Sequence, residues 1–217
     1  MPIRGVNPKA SRSAADLLPT RAGPVPGQVP AAEALPLYEE MLILRQELGD
    51  TWGVAGAHNA IAALQLKRGA RGAAAAHVAA ALPLFESVAD MLGVAECLES
   101  VGLVRYEQRG AEGEQGEAAR RGAARALGAA AGVRKAIGAD VKVVTAHAAA
   151  VALKRSHATE WMEGGRLEPA AAARLAEQEA AAAARHDEQE QEVAGAEGAA
   201  SDDTPAPSRR TAWAFSP

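Results

Sequence analysis

Leu48-Gly49-Asp50-Thr51-Trp52-Gly53-Val54-Ala55 and Val88-Ala89-Asp90-Met91-Leu92-Gly93-Val94-Ala95 are two versions of one pattern, set 40 residues apart. The register holds on both sides. Leu42 stands over Leu82, Leu44 over Leu84, Ile61 over Val101 and Leu64 over Val104. Self-similarity at a period of about 20–50 residues marks stacked supersecondary units, each too small to bury its own apolar face. Within a unit the spacing is helical. Val54, Ala57, Ile61 and Leu64 step by threes and fours across residues 52–68, and Ala74, Val78, Ala81, Leu82 and Phe85 do so across 73–89. Gly69-Ala70-Arg71-Gly72 interrupts the two runs. The next unit carries Val94, Leu98, Val101 and Leu103 up to a turn at Gly110. Its second helix arrives late. Ile137-Gly138 takes the place of Leu48-Gly49 and Val88-Ala89, which gives a 49-residue repeat with nine extra residues near Ala111–Gly116. An insertion of that kind is expected in an exposed loop.

Alanine is the commonest residue, 56 of 217, whereas Leu, Ile, Val and Phe together number 39. Of those 39, 29 fall in residues 31–153, so a folded middle is expected between weakly folding ends. The alanines fit close helix packing. Ala74, Val78 and Ala81 recur as Ala123, Leu127 and Ala130, and the first copy reads Ala34, Tyr38 and Met41. A small residue lets two backbones approach, and a large one a turn away fills the hole beside it. Ala62 and Gly102 are the small contacts on the first helices. The expected fold is all-α: an α-solenoid of antiparallel helix pairs over residues 31–168, an Ala/Glu-rich helical extension over 169–200, and disordered tails at 1–30 and 201–217. Six prolines in residues 1–30 deny helix donors. That segment lacks the apolar stretch of a signal peptide and the dense basic cluster of a nucleic-acid arm. One cysteine excludes an intrachain disulfide framework, and the absence of a long apolar run excludes a membrane span.

These residues resemble tetratricopeptide repeats. The likeness is closest to the long-period repeats of bacterial AfsR-like and LuxR-like regulators of the signalling-ATPase class. Residues 48–55 look like that family's L-G-D-x-x-G-V-A joint between repeats. Ala124-Arg125-Ala126-Leu127-Gly128-Ala129-Ala130 and Val133-Arg134-Lys135-Ala136-Ile137-Gly138 resemble its closing repeat. Trp161-Met162-Glu163-Gly164-Gly165-Arg166-Leu167 is similar to its W-x-E-G-R segment with one added residue. The resemblance covers about residues 31–175 and implies a cytoplasmic sensor or scaffold that binds protein or peptide. It does not carry over ATPase or DNA-binding activity. No G-x-x-x-x-G-K-[ST] phosphate loop is present, and after Leu175 the chain turns to Ala, Glu and Gln instead of a helix-turn-helix. Residues 31–48 read as a second-type helix without its first-type partner. The apolar stripe at Leu37, Met41 and Leu44 is therefore expected to be open, available to a second copy or to an upstream domain of a larger regulator.

Catalytic and metal readings find little to build on. None of His58, His77, His147, His157 and His186 has another His or Cys three to five residues away, so no metal and no cofactor is expected. His58 reads as a packing residue and His77 as solvent-facing. Cys97 reads as a small buried filler. Glu39-Glu40 and Glu112/Glu114/Glu117 read as solvated carboxylates, and Ser100 and Ser156 have no base that sequence places beside them. Arg174 to Glu192 carries six acids against two arginines without an apolar stripe, and is expected as a solvent-exposed helix. Trp213 and Phe215 form an aromatic pair in the last stretch. The expectation is a binding module and not an enzyme. Its groove is formed by residues 52–68 and 92–109, with Asn59, Gln65, Glu99 and Arg105 as partner-contacting candidates. A pI near 5.8 speaks against direct DNA binding.

Overall fold

Four helices of equal length open the described chain: α1 Ala31–Glu47, α2 Thr51–Lys67, α3 Arg71–Ser87 and α4 Met91–Glu107, 17 residues each. A 3-10 turn at Gln108–Gly110 leads to α5 Gly113–Ala136, followed by α6 Ala148–Ser156, α7 Ala158–Gly165 and α8 Pro169–Ser201. The computed structural model describes residues 31–110, 113–141 and 148–201, and among them all regular structure is helical. The readings made for residues 1–30, Glu112, His147, Trp213 and Phe215 lie outside the described residues.

The repeated L-G-D joint has a physical explanation. Gly49 takes φ +68° just past α1. Its N–H reaches Gln46 O and the Asp50 N–H reaches Arg45 O, which closes the last carbonyls of the helix. The Asp50 side chain then accepts from Gly53 N at 2.9 Å and caps α2. Forty residues on, Ala89 and Asp90 repeat both steps, with Gly93 N donating to Asp90 at 3.0 Å. One aspartate thus ends a helix through its backbone and starts the next through its side chain. The glycine three residues later is required by contact. A Cβ at Gly93 would stand 2.2 Å from the Phe85 ring, and one at Gly53 would meet Asp50 and Arg45. Trp52 Nε1 donates to Asp90 at 2.7 Å and so ties one joint to the next.

Each of the first four helices packs on the one that follows, the closest pairs being α2 with α3 and α4 with α5, and α2 also touches α4. Val78, Ala81, Leu82, Phe85, Leu98, Val101, Leu127 and Val133 are buried in the main core, and Tyr38, Met41 and Ile61 in a smaller cluster between α1 and α2. Met41 is 2% exposed, and Leu37 and Leu44 are half-buried. Of the open stripe expected there, Met41 is covered by Ala57, Ile61 and Leu64 of α2, whereas Leu37 and Leu44 remain partly exposed. Leu48, one turn beyond Leu44 on the same face, is 70% exposed, and Ile43, on another face of α1, is 56% exposed.

Two segments depart from the sequence reading. The added residues of the long repeat do not make a loop from Gly113 onward, because α5 starts there and runs 24 residues. Its extra turn carries Glu117 to His157 at the joint between α6 and α7. The acidic extension is helical, but it is not solvent-exposed over its first half. Ala172, Ala173, Leu175, Ala176, Ala180 and Ala183 of α8 are buried against α3, α4 and α5. An alanine stripe carries too little apolar weight to stand out in the sequence. It buries well only where the opposing helices are themselves small enough to come close.

Candidate functional site

A recess of about 310 Å³ lies between the first helices of the two hairpins. Ala63, Leu66 and Lys67 of α2 form one wall, and Ser100, Leu103 and Glu107 of α4 form the other. The spacing explains why these side chains share a face. Residues three and four apart on a helix stand side by side. The walls also follow the repeat: Leu103 is the 40-residue equivalent of Ala63, and Glu107 of Lys67. Ser100 Oγ donates to Asn59 Oδ1 at 2.9 Å and fixes the separation of the two helices beside the recess. The floor is apolar and its end carries one charge of each sign.

The four candidate contact residues fall in different places. Asn59 is half-buried and held by Ser100, beside the recess. Gln65 is half-buried one position from the wall residues. Glu99 pairs with Arg134 of α5. Arg105 is 6% exposed and faces α8, where Nε donates to Glu179 at 3.0 Å and Nη1 to Gln108 at 2.9 Å. The structure therefore brings Asn59 to the recess and commits Glu99 and Arg105 to bonds inside the fold. Ala63 and Leu66, which the sequence reading did not single out, make the surface with Ser100 and Leu103, which it read only as a serine without a base and an apolar-face residue. Their signal was the coincidence of face and register between the two repeats.

Three other groups carry chemistry. His58 and His77 meet between α2 and α3 with Nδ1 atoms 3.0 Å apart and ring centroids 5.3 Å apart. His77 is thus not solvent-facing. Burial pushes both imidazoles below the usual range; His77 lowers His58 further, and Glu39 of α1 acts the other way on His77. Ser156 Oγ lies 2.7 Å from His157 Nδ1, and His157 Nε2 lies 3.2 Å from Glu117 Oε1. Ser156 thus stands against the imidazole of the next residue, and its hydroxyl also donates to Ala152 O at 3.2 Å. Glu117 stays ionised because Arg120, and then His157, hydrogen-bond its carboxylate. The chain of bonds clamps the α6–α7 joint to α5. The cavities beside α7 are lined by Trp161, Lys154 and Arg166 on one side and by Arg125 and Arg174 on the other, and neither reaches Ser156. Cys97 is fully buried, and burial pushes its thiol far above the reactive range. Among the described residues no helix is long and apolar enough to cross a membrane. Comparison with family models, curated proteins and solved structures finds no match to this chain.

Proposed function

We propose that this chain is a non-catalytic binding module of the tetratricopeptide-repeat type, an α-solenoid whose α2/α4 recess takes an apolar-anchored peptide segment of a partner protein. The setting we assign is cytoplasmic regulation in bacterial signalling or transcription. The observation that carries the reading is the recess itself: register-equivalent faces of two first helices open side by side, apolar within and charged at one end. Grooves of this kind take a segment by a few spaced apolar side chains, with flanking charges setting direction.

The test uses peptides selected from a displayed library on the full chain. They should carry spaced apolar anchors. Ala63→Arg, at an exposed wall position, should weaken them at least about tenfold at an unchanged melting temperature. Equal binding by wild type and variant would remove the groove from the proposal. ATP turnover that survives purification would remove its non-catalytic part.

A second reading makes the chain the repeat-bearing part of a larger ATPase or DNA-binding regulator. It draws on Ile43 and Leu48, 56% and 70% exposed at the outer end of α1. Such an edge suits an adjoining domain or a second copy. Sedimentation of wild type against an Ile43→Glu/Leu48→Glu variant separates these: concentration-dependent association lost in the variant favours the second copy.

A further inference from the structure

His186 on α8 is 7% exposed, and neither of its ring nitrogens meets a hydrogen-bond partner. A neutral imidazole has one N–H and one lone pair to satisfy, so a buried ring with both unmet asks for a missing partner. The ring faces carboxylates. Its Nδ1 lies 3.8 Å from Glu190 Oε1, and one ligand atom each from His186, Asp187 and Glu190 all fall within 4.8 Å of one another. His186 and Glu190 are one helical turn apart, the spacing that lets two side chains of one helix grip a single ion.

We propose that His186, Asp187 and Glu190 bind a zinc-class divalent ion, independently of the α2/α4 recess. Two ligands at about 2.0–2.1 Å from one ion stand about 3.3 Å apart, so a small rotation of Glu190 closes the observed gap. One imidazole and two carboxylates suit zinc, with water completing its shell. The cluster already holds Arg71, whose guanidinium meets Asp187 at 3.3 Å and also Glu190. That contact uses Glu190 Oε2, whereas His186 faces Oε1. The ion takes the free oxygen and competes with Arg71 for the rest. Asp187 also accepts from Gly72 N at the start of α3 and from Gln108 Nε2 at the end of α4. Asp187 therefore already ties α8 to both helices, and an ion shares its oxygens with those donors while bracing the His186–Glu190 turn of α8. The sequence reading passed this site over because it sought only His and Cys as companions to each histidine.

The full chain, stripped with chelator, is titrated with Co²⁺ as a spectroscopic probe and then with Zn²⁺. Wild type should bind one equivalent of Co²⁺ with visible ligand-field bands that Zn²⁺ abolishes, and Zn²⁺ should slow trypsin at Arg185. His186→Gln should weaken Zn²⁺ binding at least about tenfold. Loss of a buried residue can also loosen α8, so Glu190→Gln, at an exposed position, is the second variant and should do the same at an unchanged melting temperature. Arg71→Gln should tighten binding, since it removes the competing cation. A His58→Gln/His77→Gln variant should bind as wild type does. No saturable binding by wild type, undiminished binding in His186→Gln and Glu190→Gln, or loss in the His58/His77 variant would each overturn the proposal.

Discussion

Ala89 holds φ +54° at a place where Gly49, Gly69 and Gly138 serve the other turns. A Cβ in the left-handed region costs about 1–2 kcal/mol. Glycine returns part of that through its larger unfolded-state entropy. Ala89→Gly should therefore stabilise the fold by about 0.5–1 kcal/mol, and Gly49→Ala should destabilise it by about 1 kcal/mol, read from urea midpoints at constant slope. The His58–His77 contact gives a second residue-level expectation. Both imidazoles titrate below their ordinary value of 6.5, burial being the main cause. The unfolded chain then binds protons first as pH falls. Stability is whole above about pH 6.5 and drains as pH drops from there toward the depressed folded-state values. The urea midpoint should fall between pH 7.5 and 5.5, and less in His77→Gln. An unchanged slope in that variant would mean that other groups set the acid limit. Glu39 on α1 works against the effect at His77.

At the scale of elements, α8 is the decisive one. Its docking rests on alanines, on the Asp187 bonds to Arg71, Gly72 and Gln108, and on Glu179, which is 6% exposed between Arg105 at 3.0 Å and Arg125 at 3.5 Å. A buried pair is weak evidence of net stabilisation, but removing one partner leaves a charge stranded. Glu179→Ala should cost about 3–5 kcal/mol or release α8, because Arg105 would lose its buried carboxylate. Circular dichroism melts measure the first outcome, and faster tryptic cleavage at Arg174 and Arg185 the second. No change in either would mean that the alanine stripe and the Asp187 bonds hold the helix without Glu179. On the other side of α5 the contact is backbone to backbone. A Cβ at Gly128 would lie 2.2 Å from Trp161 O, and one at Gly164 would lie 2.1 Å from Arg125 O. Glycines a turn apart on α5 and paired on α7 let those helices touch where no side chain fits.

For the whole molecule, Cys97 is a built-in reporter. It is fully buried in the main core, and its thiol is pushed far above the range where thiolate forms. Reagent reaches it only through opening of the structure. Alkylation of native chain should therefore proceed only as fast as opening permits, and should accelerate in urea in step with loss of helix. Fast labelling of the native chain would show that α4 is loosely held, which would contradict the single core joining α2 through α8.

The 40-residue repeat, the helix pairs from α1 to α4 and the recurrence of Asp50 as Asp90 at their joints were legible in sequence, because they rest on local chemistry. A left-handed turn residue, a capping carboxylate and apolar spacing by threes and fours each act within a few positions of themselves. Small-residue contacts such as Ala62 and Ala81, both buried, were legible for the same reason. What only tertiary structure decided was the set of partners across distance. Arg105 and Glu179 lie 74 residues apart, and His58 and His77 19 apart on separate helices. Neither separation is marked by any local pattern. Which face of α8 is buried, that Arg105 turns inward while Ala63 and Leu103 face the recess, and that His186 is closed off from water all follow from how helices stack. Stacking is set by summed packing over many alanines, no one of which carries a signal of its own.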